Sequence, residues 1–429
     1  MRTLFKIASL VLMVVLCPSC QKETTAPENS GLLKVIQAPG PYSGRNTLHM
    51  PDGSFLVGSV GFENEQFISE YGFLPSLLTR MDRKGEVIWQ VELPALLYEL
   101  WTCRLLRSGN ILALGFNEQP NSAQVGLAIV SETGEVLHTH SFFNSAGIFN
   151  SGDFSSIDGI ELQNGNIGVV MPSAVSQQGR NYVRYLEFTT SLDVIADVTF
   201  EANDIVPDIS IRRPSIAQTP TGDLIVQGVV FSDNTFAFVM QIDPESYEAS
   251  FFNLFQMEHR RMPSRIAISP SGEAIWMSSG PDLTTNNIND IVGLLHNFRN
   301  QEEFLYGSSI ECWKTNGDLP QAPVSEIAGF PKNGFVRSVS PCSDGGYILA
   351  GTCNINSDQN IPSNYRILLV KLNADLGVEW LRVPNTSSAA LAADAVEIPE
   401  GFLVTATHYS PTGVERPILF ITNTDGILQ

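Results

Sequence analysis

The sequence is poor in cationic residues. It has 25 lysine and arginine residues against 45 aspartate and glutamate residues, which gives a formal net charge of −20. A chain this acidic is repelled by phosphate backbones and by anionic lipid surfaces. The composition therefore argues against a nucleic-acid partner and against electrostatic adhesion to a membrane, while it is compatible with an exported domain.

Motifs that carry chemistry are also missing. The sequence contains no HExxH, no GxSxG and no GxxxxGK[ST] phosphate loop. His138 and His140 share one face of a predicted strand, but no third metal ligand accompanies them. The stretch NINSDQNIPSNY begins like a calcium loop, yet Gln359 replaces the glycine of the sharp turn and Tyr365 replaces the bidentate glutamate. We therefore predict no metal site, no cofactor and no catalytic residue.

Cysteines are few and badly spaced for metal binding. Four lie beyond residue 20, and no CxxC occurs among them, so zinc and thioredoxin-like sites have no support. An exported compartment would permit disulfides, but buried thiols are the favoured state and the disulfide state stays open. These four residues are Cys103, Cys312, Cys342 and Cys353.

Long apolar runs are missing except near the N-terminus. There Ile7–Leu16 follows two cationic residues and is too short for a permanent transmembrane helix, which is typical of a secretory signal. Ser19 and Cys20 then resemble the cleavage site of a bacterial lipoprotein, in which the cysteine after a small residue is lipidated. An ordinary cleaved signal with an incidental cysteine is the alternative.

The lipoprotein resemblance, of the Bacteroidota type, implies a domain layout and a location. Residues 1–19 would be the signal peptide, residues 20–31 a polar tether from lipidated Cys20, and residues 32–429 the folded domain. We expect a lipid-anchored protein of the outer membrane, on either the cell surface or the periplasmic face.

One short pattern recurs along the whole folded part. A strand, a polar turn with a glycine and a second apolar strand appear seven times, at spacings of 56, 56, 57, 50, 73 and 56 residues. A strand-rich period near 50 is typical of a β-propeller. We therefore predict an all-β, seven-bladed propeller of four-stranded antiparallel blades. The turn glycines are Gly53, Gly109, Gly165, Gly222, Gly272, Gly345 and Gly401.

The two ends of the repeat array are incomplete. The last copy lacks a fourth strand, and Leu32–Ile36 is a lone strand before the first copy, so we expect this strand to complete the last blade and close the ring. The 73-residue spacing leaves residues 279–337 ambiguous. They hold either a loop insertion, which we favour, or a degenerate extra blade.

The repeats resemble a bacterial propeller pattern, G-G-Y-I-L-x-G followed by V-K-L-N, a glycine turn and tryptophan. The copy from Gly345 to Trp380 matches it best. The resemblance implies a fold and no particular activity. Trp89 and Trp380 also resemble the tryptophans of quinone-cofactor propellers, but only these two occupy the position, so we interpret them as blade-docking residues.

A candidate binding site follows from the repeat register. Long connections between strands should emerge on one face, around the mouth of the central channel. The chain enters the innermost strand of each blade, at that mouth, eight residues before the turn glycine. Several arginines lie at or next to this position. Guanidinium groups suit carboxylate, sulfate or phosphate oxygens, so we predict an anion-accepting mouth; salt bridges between blades are the alternative. The candidate ligand-binding residues are Arg45, Trp101, Arg213, Arg261 and Arg337.

The function predicted from these observations is non-catalytic. We expect a lipid-anchored binding or scaffold protein, which either joins an outer-membrane protein assembly or presents its propeller face to an extracellular glycan or protein. Its only link to the membrane would be the lipid. The alternative is a propeller enzyme, a glycan hydrolase or lyase with its site at the channel mouth.

Overall fold

The computed structural model describes most of the chain from Lys34 onward, in separate ranges. The described ranges are 34–37, 42–62, 73–119, 122–143, 157–175, 180–201, 210–231, 235–257, 262–263, 265–268, 274–281, 291–298, 311–312, 334–354, 365–375, 377–384, 390–409 and 415–428. The predicted signal peptide, the tether with Cys20, and Arg261 lie outside these residues. So do most of the long mouth connections and residues 313–333.

The described chain is built of antiparallel strands with one short 3₁₀ helix. The chain starts with β1 (Lys34–Val35). The first blade is β2 (Tyr42–His49), β3 (Phe55–Phe62), β4 (Phe73–Met81) and β5 (Val87–Glu92), and the 3₁₀ helix Ala95–Leu97 follows it. The second blade is β6 (Glu99–Leu105), β7 (Ile111–Gln119), β8 (Ser122–Val130) and β9 (Val136–Phe143).

The next two blades repeat this arrangement. The third blade is β10 (Asp158–Glu161), β11 (Ile167–Val175), β12 (Arg180–Phe188) and β13 (Val194–Glu201). The fourth blade is β14 (Ser210–Gln218), β15 (Leu224–Phe231), β16 (Thr235–Ile242) and β17 (Ala249–Met257).

A five-stranded sheet and two further blades complete the described chain. The five-stranded sheet is β18 (Met262–Pro263), β19 (Ala267–Ile268), β20 (Ala274–Pro281), β21 (Ile291–Phe298) and β22 (Glu311–Cys312). The penultimate blade is β23 (Gly334–Pro341), β24 (Tyr347–Asn354), β25 (Tyr365–Leu372) and β26 (Val378–Arg382). The last blade joins β27 (Ala390–Ile398), β28 (Gly401–Tyr409) and β29 (Glu415–Thr422) to β1.

The prediction of seven four-stranded blades is wrong. Six sheets of the described chain are four-stranded antiparallel blades, whereas the sheet between Met262 and Cys312 has five strands. Its innermost strand is split, because β18 pairs with Ser278 and Ser279 while β19 pairs with Ala274 and Ile275. The all-β propeller architecture itself is as predicted.

The turn glycines have the conformation that the repeat requires. Gly53, Gly109 and Gly345 have φ of 80°, 85° and 83°, and each donates its N–H to the carbonyl three residues earlier. This is a type I turn followed by a left-handed residue, a geometry that glycine adopts without a Cβ penalty. The glycine spacing in the sequence therefore marks the first hairpin of the blades.

Apolar side chains fill the spaces between neighbouring sheets. Leu100 and Cys103 of the second blade pack with Leu56 and Leu78 of the first in one buried cluster. Further clusters join the second blade to the third, the third to the fourth, the five-stranded sheet to the penultimate blade, and the penultimate blade to the last. One sheet alone leaves its apolar faces exposed, so the ring is stabilised by neighbouring sheets covering each other.

The N-terminal strand closes the ring in the way the sequence predicts. Lys34 and Val35 pair with Leu419 and Ile418 at the outer edge of the last blade. Ile36 is 2% exposed and packs in a cluster shared by the last blade and the first. The first and last parts of the described chain thus share one sheet and one interface.

Buried polar side chains on the third strands hold the first hairpins of their blades. Arg80 Nη2 donates to Asp52 Oδ2 at 2.8 Å, and Lys371 Nζ donates to Asp344 Oδ2 at 2.7 Å. In the third blade the buried Glu187 fills the corresponding position. It accepts a hydrogen bond of 2.5 Å from Asn166 Nδ2.

The two repeat tryptophans dock blades, as interpreted from the sequence. Trp89 Nε1 donates to the carbonyl of Glu132 in the second blade at 2.9 Å, and Trp380 Nε1 donates to the carbonyl of Thr424 in the last blade at 3.0 Å. Each indole packs on the turn glycine of the neighbouring blade, where a Cβ on Gly426 would lie 2.6 Å from Trp380 Cζ3.

Two of the four cysteines can be described. Cys103 and Cys342 are buried free thiols. Burial raises the pKa of each to about 12, so both are inert at neutral pH. The part of the chain that the structure describes contains no helix of the length and hydropathy that crossing a bilayer requires.

Candidate functional site

Five of the described innermost strands carry a β-bulge at one shared level, at positions that the sequence register selected. A bulge turns a side chain out of the regular alternation of the strand. The register shifts lie around Arg45 in the first blade, Trp101 in the second, Arg213 and Pro214 in the fourth, Arg337 in the penultimate and Ala393 in the last.

Arg45 and Trp101 contact each other at the junction of the first and second blades. The Arg45 guanidinium carbon lies 5.4 Å from the centroid of the Trp101 ring, a cation–π geometry. Arg45 Nη2 is also 3.9 Å from Glu99 Oε1. The other side of Trp101 packs against the apolar cluster between the second and third blades. Trp101 is therefore fixed in place, with a cation over one face.

Arg337 belongs to the same group of side chains through the last blade. Burial, and next the positive charge of Arg45, lower the pKa of Arg337 to about 10, while the acidic groups of Tyr409, Glu415 and Tyr365 act in the opposite direction. At neutral pH the Arg337 guanidinium remains charged. Tyr409 and Glu415 pair across β28 and β29. We call the following set the mouth cluster: Arg45, Trp101, Arg337, Tyr365, Tyr409 and Glu415.

Glu415 is the acidic member of the mouth cluster. It pairs with Tyr409 across β28 and β29. Burial raises the pKa of Glu415 above its ordinary value, although Arg45, Arg337 and hydrogen bonds from Tyr409 and Ser43 favour its charged form. Glu415 therefore interacts with both guanidinium groups and accepts hydrogen bonds from Tyr409 and Ser43.

The backbone beneath the mouth cluster is fixed by hydroxyl groups. Ser43 Oγ and Thr407 Oγ1 are 2.7 Å apart, and the N–H of Gly44 donates to Thr407 Oγ1 at 3.1 Å. A Cβ at Gly44 would lie 2.7 Å from Thr405 Cγ2, so glycine allows the two strands to approach closely. The first and last blades are thereby held in register directly beside Arg45.

Two buried donors of the mouth cluster have no acceptor in the described part of the chain. These are Nε of Arg45 and Nε1 of Trp101. Buried N–H groups are nearly always hydrogen-bonded, to protein or to water or a ligand. The pair therefore indicates where an oxygen acceptor could be received.

Arg265 of the five-stranded sheet reaches the second blade across the channel. Its Nη2 donates to the carbonyl of Trp101 at 2.6 Å and to Thr102 Oγ1 at 3.0 Å. The third and fourth blades separate these two sheets along the chain, so the side chain crosses the centre of the ring. It closes the channel beneath Trp101 and gives the mouth a floor.

A network of buried polar side chains surrounds Asp158, which is 2% exposed, next to the Arg265 contact. Arg104 Nη2 donates to Asp158 Oδ1 at 3.3 Å, and Ser215 Oγ donates to Asp158 Oδ2 at 2.5 Å. Burial would raise the pKa of Asp158, but Arg104, Arg265 and hydrogen bonds from Ser215 and the Ile216 N–H hold it below its ordinary value. Asp158 is therefore a charged, structural anion.

The pKa of Asp394 is shifted in the opposite direction to that of Asp158. It is 7% exposed and accepts a hydrogen bond of 3.2 Å from the N–H of Thr47. Burial raises the pKa of its carboxyl above the ordinary value, although Arg265 opposes this. One arginine thus serves two buried carboxyl groups, of which only Asp158 is held firmly in the charged form.

The structure brings together three of the five residues selected from the sequence. Arg45, Trp101 and Arg337 belong to the mouth cluster, Arg213 occupies the matching bulge in the fourth blade, and Arg261 lies outside the described residues. Sequence reasoning missed Arg265, which is one position beyond the selected register. It also missed Tyr409 and Glu415, whose positions depend on strand pairing. Within the described ranges no three histidine, cysteine or acidic side chains converge to hold a metal.

The chain resembles known proteins in fold only. No family model matches it, and no curated protein matches it. Among solved structures, the polysaccharide lyase Uly1 is 9% identical, with 96% of this chain and 94% of that chain covered and a TM-score of 0.53. A PL25 ulvan lyase is 10% identical, with 92% and 97% covered and a TM-score of 0.55.

The same ulvan lyase was also solved bound to -[GlcA(1-4)Rha3S]-, with the same identity, coverage and TM-score. At this level of identity, the similarity shows that the chain has a propeller fold. It transfers neither activity nor site residues to this chain.

Proposed function

We propose that this protein is an exported binding protein whose propeller mouth accepts an anionic ligand. The observation that carries the proposal is the Arg45 guanidinium over the Trp101 ring, where Nε of Arg45 and Nε1 of Trp101 are buried without an acceptor among the described residues. The nearest described ion pair of Arg45 is long, with Arg45 Nη2 at 3.9 Å from Glu99 Oε1.

The alternative role for these arginines is purely structural, and the structure contains a ready comparison. Arg80 and Lys371 are structural cations, each with a carboxylate at 2.7–2.8 Å. Arg45 instead lies over an aromatic ring, and its nearest described carboxylate oxygen is 3.9 Å away. The contrast supports ligand binding for Arg45.

The location of this binding protein is part of the proposal. Lipidation at Cys20 and a polar tether of residues 20–31 would hold the propeller at the outer membrane, on the cell surface or the periplasmic face. Partners would then be an outer-membrane protein assembly, or an extracellular glycan or protein. The support is the signal-like N-terminal sequence alone.

A second candidate function is glycan cleavage at the same mouth. Tyr409 and Glu415 are neighbouring titratable groups whose pKa values are both raised, chiefly by burial, and Arg337 lies beside them. Perturbed acids next to a fixed cation are typical of catalytic sites as well as of binding sites. Two propeller structures of similar fold are polysaccharide lyases. Release of new reducing ends from an acidic polysaccharide, lost in Tyr409→Phe, would favour the enzyme.

The experiment for the binding function is calorimetric titration of the soluble propeller with citrate and with inorganic sulfate. Arg45→Ala and Arg337→Ala should each weaken anion binding about tenfold. Arg83→Ala is the matched control, because Arg83 is exposed on a turn between third and fourth strands, at the opposite end of the blade. Equal affinity in all four proteins, with normal folding, would show that the arginines are structural.

A further inference from the structure

The mouth cluster offers several hydrogen-bonding groups beside its two charges. Arg45 Nε and Trp101 Nε1 are buried donors without an acceptor among the described residues. Tyr409 pairs with Glu415 across β28 and β29, and the oxygens of the Glu415 carboxyl group can accept from a ligand hydroxyl. A simple inorganic anion needs only donors. This mixture suits a ligand that carries hydroxyl groups as well as charge.

The mouth is closed from below. Arg265 joins the five-stranded sheet to Trp101 and Thr102 across the ring centre, and the buried network around Asp158 continues the closure. A ligand therefore cannot thread through the ring at this level. It must enter from the mouth side and present one group downward, as a side group or an end of a longer molecule does.

The charge of the whole molecule limits the charge of the ligand. The net charge of −20 repels dense polyanions such as nucleic acids at long range. The mouth cluster compensates locally for one or two negative charges, through Arg45 and Arg337. A ligand with isolated charges separated by neutral, hydroxyl-rich parts satisfies both conditions.

We infer that the mouth binds one acidic sugar unit of a glycan, with a carboxylate or a sulfate ester as its charged group. This inference rests on the proposed function and names its ligand class. The oxyanion lies between Arg45 and Arg337, an oxygen of the sugar accepts from Trp101 Nε1, and sugar hydroxyls bond to Tyr409 and Glu415. Neither the sugar nor its linkage is specified by these contacts.

The test is a calorimetric panel on the soluble propeller. The probes are a galacturonate tetramer, the same tetramer with its carboxyl groups reduced, a sulfated carrageenan tetramer and maltotetraose. Hexaglutamate and citrate are the anions without sugar. We expect binding to at least one acidic tetramer and none to the neutral ones. The two acidic probes distinguish a carboxylate from a sulfate ester.

Substitutions test whether the ligand binds at the mouth cluster. Arg45→Lys keeps the positive charge and removes the forked guanidinium group, and Trp101→Phe keeps an aromatic ring and removes Nε1. Each should weaken binding of the acidic tetramer, about tenfold for the arginine and about fivefold for the tryptophan. Arg83→Ala should leave it unchanged. Melting curves of all variants check that each variant is folded.

The possible results separate this inference from the function on which it depends. Arginine-dependent binding of citrate or hexaglutamate, with no binding of either acidic tetramer, would overturn the acidic sugar and keep the anion-binding mouth. No binding of any anion would overturn both. Equal binding of the reduced and unreduced tetramers would overturn the role of the charged group. Unchanged affinity in Trp101→Phe would overturn the role of Trp101 Nε1.

Discussion

The Arg265 guanidinium donates to the main-chain carbonyl of Trp101 at 2.6 Å, across the centre of the ring. This contact ties the five-stranded sheet, whose inner strand is split, to a regular blade on the other side. It also places a positive charge between the two buried carboxyl groups Asp158 and Asp394. The ring centre is therefore a polar, cross-linked floor below the mouth cluster.

Removal of this cross-link should destabilise the fold. Arg265→Met leaves Asp158 and Asp394 with one cation fewer, and a buried charge that loses its partner is costly. Since Arg265 is itself only partly buried, we expect a loss of about 2 kcal/mol in the free energy of unfolding. Urea denaturation measures it, with Arg83→Ala as the control. A loss within about 0.5 kcal/mol, as at ordinary surface sites, would contradict the cross-link.

The two buried carboxyl groups should give opposite pH dependences. Because the folded-state pKa of Asp158 is lowered, its stabilising effect is present above the ordinary pKa and is lost as pH falls. The folded-state pKa of Asp394 is raised, so the folded state binds the carboxyl proton more tightly than the unfolded state does. The stabilisation from the protonated Asp394 is therefore lost as pH rises above the ordinary carboxyl pKa of 3.8.

Asparagine variants test these signs. Relative to the unmodified protein, Asp158→Asn should be most destabilised at neutral pH, with the deficit shrinking as the solution is acidified. Asp394→Asn should behave in the reverse way and improve relative to the unmodified protein as pH rises. Urea midpoints between about pH 2 and about pH 8 measure both, because the Asp158 effect is lost below the ordinary carboxyl pKa and the Asp394 effect above it. Parallel curves for the two variants would contradict the assignment.

The docking of tryptophan on a neighbouring blade can be isolated with a pair of glycines. Gly426 and Gly165 both have positive φ, of 76° and 90°, but a Cβ on Gly426 would strike Trp380 whereas one on Gly165 meets nothing within 4 Å. Gly165→Ala should cost about 1 kcal/mol from backbone strain, and Gly426→Ala about 1 kcal/mol more.

A double-mutant cycle then attributes the difference. In a Trp380→Leu background the extra cost of Gly426→Ala should largely disappear, because the clashing ring is gone. Thermal denaturation of the four proteins gives the coupling. Equal costs for Gly426→Ala in both backgrounds would mean that the indole does not pack on this turn.

Ring closure by the N-terminal strand predicts a contrast between adjacent residues. Ile36 is 2% exposed between the last and first blades, whereas Val35 is 42% exposed. Ile36→Ala should lower the free energy of unfolding by about 2–4 kcal/mol, and Val35→Ala by less than about 1 kcal/mol. Chemical denaturation measures both. Similar losses for the two variants would argue against a buried closure.

The lipid anchor makes a cellular prediction. Cys20→Ala should release the protein from membranes into the soluble fraction, whereas Cys17→Ala, which changes a cysteine preceded by a leucine, should leave it membrane-bound. Fractionation with a carbonate wash, followed by immunoblotting, reads out both. Retention of Cys20→Ala in the washed membranes would exclude lipidation at this residue.

The sequence by itself determined the repeat, because each hairpin needs a glycine of positive φ at a fixed place and each strand needs apolar residues on both faces. The glycine spacing therefore predicted the propeller and the level at which Arg45, Trp101 and Arg337 lie. The incomplete end copies predicted the closing strand, and the positions of Trp89 and Trp380 predicted their docking role.

Only the tertiary structure decided what meets at that level. A period carries no information on which side chains cross the ring centre, so the reach of Arg265 to Trp101 and the pairing of Asp158 with Arg104 were invisible in the sequence. The same holds for the inner edge of the five-stranded sheet, where two short strands, β18 and β19, pair with β20 in place of the single inner strand that the periodicity implied. Glu415 lies in the mouth cluster because of the register between β28 and β29. The packing of neighbouring sheets fixes that register, and no local sequence motif does.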